Sequence, residues 1–294
     1  MHHKFPAAAA MALLLAACGG NDTESGVDAP GQDESPMTRA LDAGAAAIQD
    51  KPPIEALNAY LDGFHFYNGR MDAQMEAHHY CAVLNDDLIQ CVIYDGSVRE
   101  AKIMGVEYIV SGELFAGLPA EEKALWHSHV HEVKSGALVA PGLPEVAEHA
   151  LMQKLVGTYG KTWHTWHTDQ DLELPYGVPQ LMMGFTADGQ ADPAMIAARD
   201  ERLGIDSQAK RADRADIPAP PVDPGADAWQ RGQVYQVPDP TGHAHQPAAS
   251  QATGETPERN ADSDGSAHPD APQAGRSGGA GADEPENEGS PTRP

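Results

Sequence analysis

Three histidines stand at every second position near the middle of the chain, within the stretch LWHSHVHEVKSG at 125–136. They are His127, His129 and His131, and Glu132 follows directly. Imidazole nitrogens and carboxylate oxygens are ligands of divalent transition metals such as zinc, provided that the backbone directs them to one point. The same residue types also form buried polar layers in which the rings only exchange hydrogen bonds. The spacing therefore leaves two interpretations, a metal site and a hydrogen-bonded polar layer.

The backbone conformation decides where these side chains point. An extended segment over 127–133 would place the three histidines on one face and Glu132 on the other, because side chains alternate along a strand. A helix would instead place His127 and His131 one turn apart, but no acid stands between them as it does in the zincin motif. The valines and the Ser-Gly pair at 135–136 favour a strand. We therefore predict a strand, with Glu132 directed away from the histidines.

A metal site needs further ligands, and the segment WHTWH at 163–167 offers them. The metal-site hypothesis therefore combines His127 and His129 with His164. Other polar residues of the histidine-rich segments are candidates for the surrounding polar site. They are His131, Glu132, His167, His78 and His79. The sequence contains neither a nucleophile elbow nor a phosphate-binding glycine loop.

The large aromatic side chains show which part of the chain can fold. All four Trp, all eight Tyr and four of the five Phe lie between Tyr60 and Tyr235. Because a packed core needs large apolar side chains, we predict one compact domain over residues 51–235. The flanking segments 18–50 and 236–294 are acidic and contain no aromatic residue, so we predict an acidic tether and a disordered acidic tail.

Periodicity inside the domain predicts short strands mixed with several helices. Helical spacing and start signals indicate four helices. They lie in PPIEALNAYLDGF, LPAEEKALW, PEVAEHALMQKLVGTYG and PAMIAARDERLG. Strands are predicted as a hairpin over 80–94, in AKIMGVEYIVS, and as two short strands about the Ser-Gly pair. Helices interspersed with short antiparallel strands favour the α+β class.

Two cysteines flank the turn of the predicted hairpin. Cys81 and Cys91 are symmetric about Asp86, so they would face each other across the two strands. An exported protein meets conditions in which such a pair oxidises. The pair is therefore a candidate disulfide, and the alternative is two buried thiols that behave as small apolar residues.

The first twenty residues, MHHKFPAAAAMALLLAACGG, indicate export. A short basic start precedes an apolar run that is too short to span a bilayer and is typical of a signal peptide over 1–17. The run ends in LAAC, which resembles the lipobox of bacterial lipoproteins and implies lipidation of Cys18. An ordinary signal peptide is the alternative. Gly19 stands where an aspartate would signal inner-membrane retention, so we expect a lipid-anchored protein of the cell envelope, at the outer membrane.

The formal net charge of −25 argues against one large class of partners. Such a surface repels phosphate backbones, so we expect no binding to nucleic acids. It also disfavours contact with anionic lipid head groups, which leaves membrane attachment to the lipid anchor. No segment after Cys18 is long and apolar enough for the sequence to predict a transmembrane helix.

Several long segments of the domain resemble a known family. They are GFHFYNGRMDAQMEAHHYCAVLNDDLIQCVIYDG, GVEYIVS, LPAEEKALWHSHVHEVKSGALVAPGLPEVAEH, TYGKTWHTWHTDQDLELPYGVPQLMMGFTADGQ and RADIPAPPVDPGADAW. In this order, from Ile54 to Trp229, they are similar to the oil body-associated proteins of plants, the DUF1264 family. The resemblance implies association with lipid bodies or lipid surfaces and a role in the formation or stability of lipid particles. It supplies no established catalytic residues that could be carried over to this chain.

The same resemblance distinguishes between the histidines. His127, His129 and Glu132 match the family pattern, whereas His131 stands where a tyrosine is common and His167 where a glutamine is common. This favours a site built on His127 and His129. The plant relatives are intracellular and carry the same two cysteines, which favours thiols over a disulfide.

Two functions remain open at this level. The first is a non-enzymatic lipoprotein that binds or organises lipid, with a membrane and neutral lipid particles as its partners. The second is a metal-dependent enzyme, a hydrolase or an oxygenase, in which His127 and His129 bind a divalent transition metal such as zinc.

Overall fold

The computed structural model of this protein describes residues 22–240. The predicted signal peptide, Cys18 and all but the first residues of the predicted C-terminal tail lie outside the described residues. Among residues 22–240, none of the helices has the length and apolar character needed to cross a membrane.

A closed antiparallel barrel forms the centre of the fold. Its strands are β1 Ala59–Tyr67, β2 Arg70–Val83, β3 Leu88–Tyr94, β4 Ile103–Val110, β6 Tyr159–His164 and β7 Gln180–Met183. Within the described residues, these six strands pair around a circle in the order β1-β2-β3-β4-β6-β7, and β7 returns to β1. A short strand, β5 His127–Ser128, pairs with the start of β6.

The barrel and its helices agree with the α+β class but correct the expectation of short strands. The strand β2 has 14 residues and pairs with β1 on one side and β3 on the other. Closure depends on the pairing of β4 with β6 and of β1 with β7, which are distant in the chain. Local periodicity reports the conformation of a segment and not its distant partner, so the sequence predicts strands here without predicting a barrel.

Helices precede β1, follow β4 and separate the later strands, whereas β1 to β4 follow one another without a helix. The described residues contain eight α-helices and two short 3₁₀-helices. The α-helices are α1 Pro36–Ile48, α2 Pro52–Glu55, α3 Gly112–Ala116, α4 Ala120–Lys123, α5 Val130–Ser135, α6 Glu145–Leu155, α7 Pro193–Leu203 and α8 Ser207–Asp213. The 3₁₀-helices are Thr168–Gln170 and Ala228–Arg231. The structure confirms three of the four predicted helices, as α4, α6 and α7.

Two predictions of secondary structure are wrong. The helix predicted from Pro52 is a single turn, and the strand β1 begins at Ala59 because the apolar residues that follow pair with β2. Around the Ser-Gly pair, the helix α5 stands where two strands were expected. Gly136 does not form a hairpin turn but ends α5 in the left-handed conformation, with a φ of 80°.

Two buried arginines tie the C-terminal helices to the rest of the domain. Arg199 of α7 donates to the carboxylate of Asp62 on β1 at 2.6 Å. Arg214, which follows α8, donates to the backbone oxygens of Val133 and Leu138 at 2.9 and 2.8 Å. A buried guanidinium needs such partners, because an unpaired charge away from water is strongly destabilising. These bonds hold α5 and the loop behind it in place.

The acidic N-terminal segment is not a free tether along its whole length. The backbone N–H of Thr23 donates to Ser97 Oγ at 2.9 Å, and Ser25 Oγ donates to the Asp95 carboxylate at 2.7 Å. The helix α1 follows and buries none of its residues. In its described part, the tether predicted for 18–50 therefore contains a docked stretch and an exposed helix.

The predicted hairpin over 80–94 is confirmed by the pairing of β2 with β3. Cys81 lies directly opposite Cys91 in this pairing, and the structure joins the two in a disulfide. Both residues are buried in the core that the barrel forms with α6.

We expect the double variant Cys81→Ala/Cys91→Ala to be less stable than the wild type. The bond spans 10 residues, and the chain entropy that such a cross-link removes from the unfolded state corresponds to roughly 2–3 kcal/mol. For a domain of this size the melting temperature should fall by roughly 5–10 °C. Thermal unfolding followed by circular dichroism would measure this. A wild type that melts at the same temperature with and without reductant would contradict the prediction.

Candidate functional site

Six buried polar side chains converge inside the barrel. They are His65, His79, Glu107, His127, His129 and His164. They come from β1, β2, β4, β5, the turn before α5, and β6. His79 on β2 contacts Glu107 on β4 although β3 lies between these strands, so the contact crosses the interior of the barrel. Closure of the barrel is what brings the six together.

The carboxylate of Glu107 lies at the centre of the cluster. His79 Nε2 is 2.9 Å from Oε2, while His129 Nε2 and His127 Nε2 are 3.2 and 3.4 Å from Oε1. Burial raises the pKa of Glu107, but its contacts with His127, His129 and His79 outweigh this and hold the pKa well below the usual range. Glu107 is therefore an ionised carboxylate surrounded by ring nitrogens.

A hydrogen bond between Nδ1 and Thr158 orients the His129 ring. The hydroxyl of Thr158 donates to the backbone oxygen of Leu155 at 2.7 Å, so its oxygen is free to accept a hydrogen bond from His129 Nδ1 at 2.8 Å. Burial lowers the pKa of His129 and outweighs the opposing effect of Glu107. Its other ring nitrogen, Nε2, forms a hydrogen bond of 3.2 Å with Glu107 Oε1, so the His129 ring links Thr158 to the carboxylate.

His127 is held at the site without hydrogen bonds to its ring. The strand β5 is fixed by Asp227, whose carboxylate accepts from the N–H and the hydroxyl of Ser128 at 3.1 and 2.7 Å. The His127 ring is fully buried, and neither ring nitrogen makes a hydrogen bond within the described residues. Burial lowers the pKa of His127, but the neighbouring Glu107 carboxylate offsets this and leaves the pKa raised.

Two glycines leave open space beside these side chains. A Cβ at Gly160 on β6 would lie 2.0 Å from Glu107 Oε1 and 2.8 Å from Nε2 of both His127 and His129. A Cβ at Gly184, just after β7, would lie 2.5 Å from Glu132 Oε1. A cavity of about 10 Å³ borders Glu107, His129 and Glu132, which is room for about one water-sized sphere.

Glu132 faces this cluster, contrary to the sequence-based expectation. Only His127 and Ser128 are extended, and the chain turns into α5 after His129. This turn brings the Glu132 carboxylate to 3.9 Å from His129 Nε2. Burial raises the pKa of Glu132 to about 8. The prediction of a strand over 127–133, with Glu132 directed away, is therefore wrong.

His164 lies beside the cluster and not at its centre. Its Nε2 is 3.4 Å from Nδ1 of His65, and burial lowers the pKa of His164 to about 3. Among the described residues, two sets within the cluster have donor atoms close enough to share one ion, and neither contains His164. They are His65, Glu107 and His127, and His127, His129 and Glu132. The structure therefore brings His127 and His129 together with Glu107 more closely than with His164.

The remaining sequence candidates lie elsewhere. His78 is next to His79 on β2 and therefore points to the opposite face, where it contacts Asp62 and Glu76 at 3.2 and 3.4 Å. His131 lies on α5 with its ring partly exposed, 3.9 Å from Asp188.

His167 belongs to a second polar group. Its Nδ1 is 3.1 Å from the Tyr67 hydroxyl, which donates to Asp169 at 2.6 Å.

Sequence reasoning missed Glu107, His65 and Thr158. Glu107 stands in a strand whose neighbours Val106 and Tyr108 are exposed, so it occupies an inward position of β4. The alternation in GVEYIVS alone would place the apolar Val106 and Tyr108 inward and Glu107 outward, so the sequence gives no signal of this buried acid. The distant residues that face it could be found only from the closed barrel.

The raised pKa of Asp169 leads to a prediction for stability. Burial raises this pKa to about 6, although the bond from Tyr67 opposes the shift. The folded state thus binds the carboxyl proton of Asp169 more tightly than the unfolded chain does. The resulting stabilisation is complete below about pH 4 and is lost as the pH rises through about 6, by roughly 1–3 kcal/mol. We expect Asp169→Asn to remove this part of the pH dependence in urea unfolding.

The matched control is Glu173→Gln, which changes an exposed acid four residues away. This variant should keep the wild-type dependence between about pH 4 and 6. An Asp169→Asn variant with the same slope as the wild type would contradict the assignment.

Comparison with known proteins identifies the family. The model described as "Protein of unknown function (DUF1264)" matches residues 51–218. The chain is 42% identical over 219 residues to Oil body-associated protein 1B of Arabidopsis thaliana, covering 74% of this chain and 91% of the relative. It is 42% identical over 206 residues to Oil body-associated protein 2A of Zea mays, covering 69% and 82%. No solved structure matches. The resemblance seen in the sequence is thus confirmed, and the chain belongs to the DUF1264 family, together with the oil body-associated proteins.

Proposed function

We propose that this protein acts at a lipid surface, where it binds or organises lipid without catalysing a reaction. The observation that carries the proposal is its family membership, since the relatives are named for their association with oil bodies. A lipid-related role is the function that these names suggest. Its partners would be a membrane and neutral lipid particles.

The proposal also includes attachment of the protein to a membrane through a lipidated cysteine. Cleavage after residue 17 would leave Cys18 at the N-terminus, and lipidation there would anchor the protein in the cell envelope, at the outer membrane. Several acyl chains on one cysteine give lasting attachment, whereas one chain holds a protein only weakly. Cys18 lies outside the described residues, and the proposal for it comes from the sequence.

The helix α1 supplies a second point of contact with lipid. Met37, Leu41 and Ile48 follow helical spacing on one face and are 69%, 66% and 83% exposed. An apolar stripe on a helix is normally buried against another element. Within residues 22–240, α1 buries none of its residues. This face therefore suits the boundary of a lipid phase, a short distance along the chain from Cys18.

The negative charge of the protein limits the kinds of lipid surface that it can bind. The helix is preceded by Asp33 and Glu34 and the whole chain carries a net charge of −25. Anionic head groups would repel such a surface. Neutral lipid and zwitterionic head groups lack this repulsion, so we propose them as the binding surface.

Flotation with triacylglycerol emulsions would test the contact through α1. The chain from residue 18 onward, with Cys18→Ser to remove the acylation site, should float with the emulsion. Leu41→Asp should reduce the bound fraction, because the loss of one buried leucine is worth roughly 1.5–3 kcal/mol, or about tenfold or more in partitioning.

The matched control is Ala46→Asp, which adds the same charge on the opposite face of α1. This variant should bind like the parent chain. Equal loss of binding in both variants would show that charge alone, and not the apolar face, decides the result. A parent chain that stays in the aqueous phase would leave Cys18 as the only proposed link to lipid.

A further inference from the structure

We propose that the barrel interior binds one divalent transition-metal ion through His65, Glu107 and His127. The three side chains are buried and come from β1, β4 and β5. One donor atom of each lies within 4.8 Å of the donor atoms of the other two. The proposal goes beyond lipid association, since it depends on neither Cys18 nor α1.

The buried ring of His127 lacks the partners that its nitrogens need. Neither Nδ1 nor Nε2 makes a hydrogen bond within residues 22–240, although buried polar groups normally have such bonds. Its Nε2 lies 3.4 Å from Glu107 Oε1. Two ligands at about 2.0–2.1 Å from a tetrahedral ion are roughly 3.3–3.4 Å apart. An ion between these two atoms would therefore satisfy Nε2 at the distance that the structure already has.

Glu107 can bind an ion although each of its oxygens already has a partner. His129 Nε2 is hydrogen-bonded to Oε1 at 3.2 Å, and His79 Nε2 contacts Oε2 at 2.9 Å. Each carboxylate oxygen has two lone pairs, so Oε1 can bind an ion and a hydrogen-bond donor at the same time. Hydrogen bonds of this kind orient a carboxylate that binds a metal. His79 and His129 are therefore positioning residues and not ligands.

His65 supplies the third donor. It forms its hydrogen bond with His164 through Nδ1, at 3.4 Å, which leaves Nε2 as the nitrogen for an ion. A histidine that binds a metal typically uses its other ring nitrogen for such a bond, which fixes the orientation of the ring. His65 also borders the cavity of about 10 Å³ beside Glu107. This cavity has room for one water at a fourth position of the ion.

The main chain leaves the space between Glu107 and His127 open. A Cβ at Gly160 would lie 2.0 Å from Glu107 Oε1 and 2.8 Å from His127 Nε2. Any other residue at this position of β6 would place its side chain beside the two donors. Glycine leaves that volume to an ion.

A second set of donors, His127 with His129 and Glu132, is less suitable. Its donor atoms also lie within 4.8 Å of one another. The Nε2 of His129 is already used in the hydrogen bond to Glu107 Oε1, and a ring nitrogen has a single bonding site. Metal binding there would first break a buried hydrogen bond. Binding through His65, Glu107 and His127 keeps that bond.

A third set, Asp62 with Glu76 and His78, lies on the other face of β1 and β2. The Asp62 carboxylate is paired with Arg199 at 2.6 Å, and the Glu76 carboxylate is paired with Arg202. An ion at this set would compete with two guanidinium groups for the same oxygens. This set therefore provides a control for the proposed site.

The proposed donors define the class of metal. Two imidazole nitrogens and one carboxylate oxygen suit zinc, iron or manganese, whereas calcium and magnesium prefer oxygen ligands throughout. A zinc ion with three protein ligands keeps an open fourth position for water. A hydrolase or oxygenase reaction of this protein would first require such an ion.

Metal analysis of the purified, untagged chain from residue 18 onward, with Cys18→Ser, tests the proposal. The protein is stripped with chelator, incubated in separate samples with Zn²⁺, Fe²⁺ or Mn²⁺, freed of loose metal and measured by elemental analysis. We expect about one equivalent of at least one metal and a higher melting temperature of the loaded protein, because an ion that binds only the folded state stabilises it. Absence of a stoichiometric metal in all samples would overturn the proposal without any need for a variant.

Variants of the ligands then assign the bound metal to the site. His65→Gln and Glu107→Gln should each weaken binding by more than about 100-fold, since loss of an orienting partner alone typically weakens it by about 10–100-fold. The matched control is His78→Gln, the same change at a buried histidine of the third set, and it should keep the metal. Circular dichroism identifies the folded variants. A folded His65→Gln variant with wild-type affinity, or loss of the metal in folded His78→Gln, would overturn the assignment.

Glu132→Gln separates the proposed set from the second one without removing a proposed ligand. Glu132 is a donor in the second set but not in the proposed set. The variant should therefore bind the metal within about tenfold of the wild-type affinity, less than the loss of a ligand would cause. A folded Glu132→Gln variant that no longer binds the metal would overturn the proposal, even if neither ligand variant folds.

Discussion

The carboxylate of Glu107 is the constraint on which the interior of this protein depends. An ionised group that is shut off from water is strongly unfavourable unless other charges or hydrogen-bond donors surround it. Here the partners are ring nitrogens of His79, His127 and His129, all within 3.4 Å. His79 comes from β2, whereas His127 and His129 lie two residues apart, in β5 and in the turn that follows it, and Glu107 itself lies on β4. The fold must therefore hold several distant segments in fixed positions to keep this single charge inside.

The barrel provides those positions through its register. On β4, Glu107 alternates with the exposed Val106 and Tyr108, so the pairing with β3 directs its carboxylate inward. A slip by one residue would exchange these faces and place the carboxylate outside. Closure also requires the main chains of β4 and β6 to approach each other closely. A Cβ at Gly105 would lie 2.0 Å from the backbone oxygen of Trp163, so glycine lets β4 and β6 pair and close the barrel.

The sequence predicts the local parts of this arrangement and misses the distant ones. The hairpin of β2 and β3 and the helices α4, α6 and α7 follow from periodicity and turn signals within each segment. Closure of the barrel does not, because it joins β4 to β6 and β1 to β7 across long stretches of chain. In the histidine-rich segment, Val130 and Val133 favour a strand by propensity, whereas the structure forms the helix α5, in which Arg214 binds the backbone oxygen of Val133. Tertiary contacts decided the position of Glu132.

The C-terminal part of the domain has a larger role in the site than its proline-rich sequence indicates. Proline-rich sequence is typical of extended chain at the surface, yet Asp227 accepts hydrogen bonds from both the N–H and the hydroxyl of Ser128 and thereby fixes β5. Arg214 binds backbone oxygens on both sides of Gly136 and fixes α5. His127 and Glu132 are therefore positioned from outside the barrel by residues about 80 to 100 positions further along the chain. Asp227 also lies beyond residues 51–218, which the family model matches. The segment that holds the histidines in place thus extends past the residues that the family model matches, and a domain cut at residue 218 would lose the support of β5.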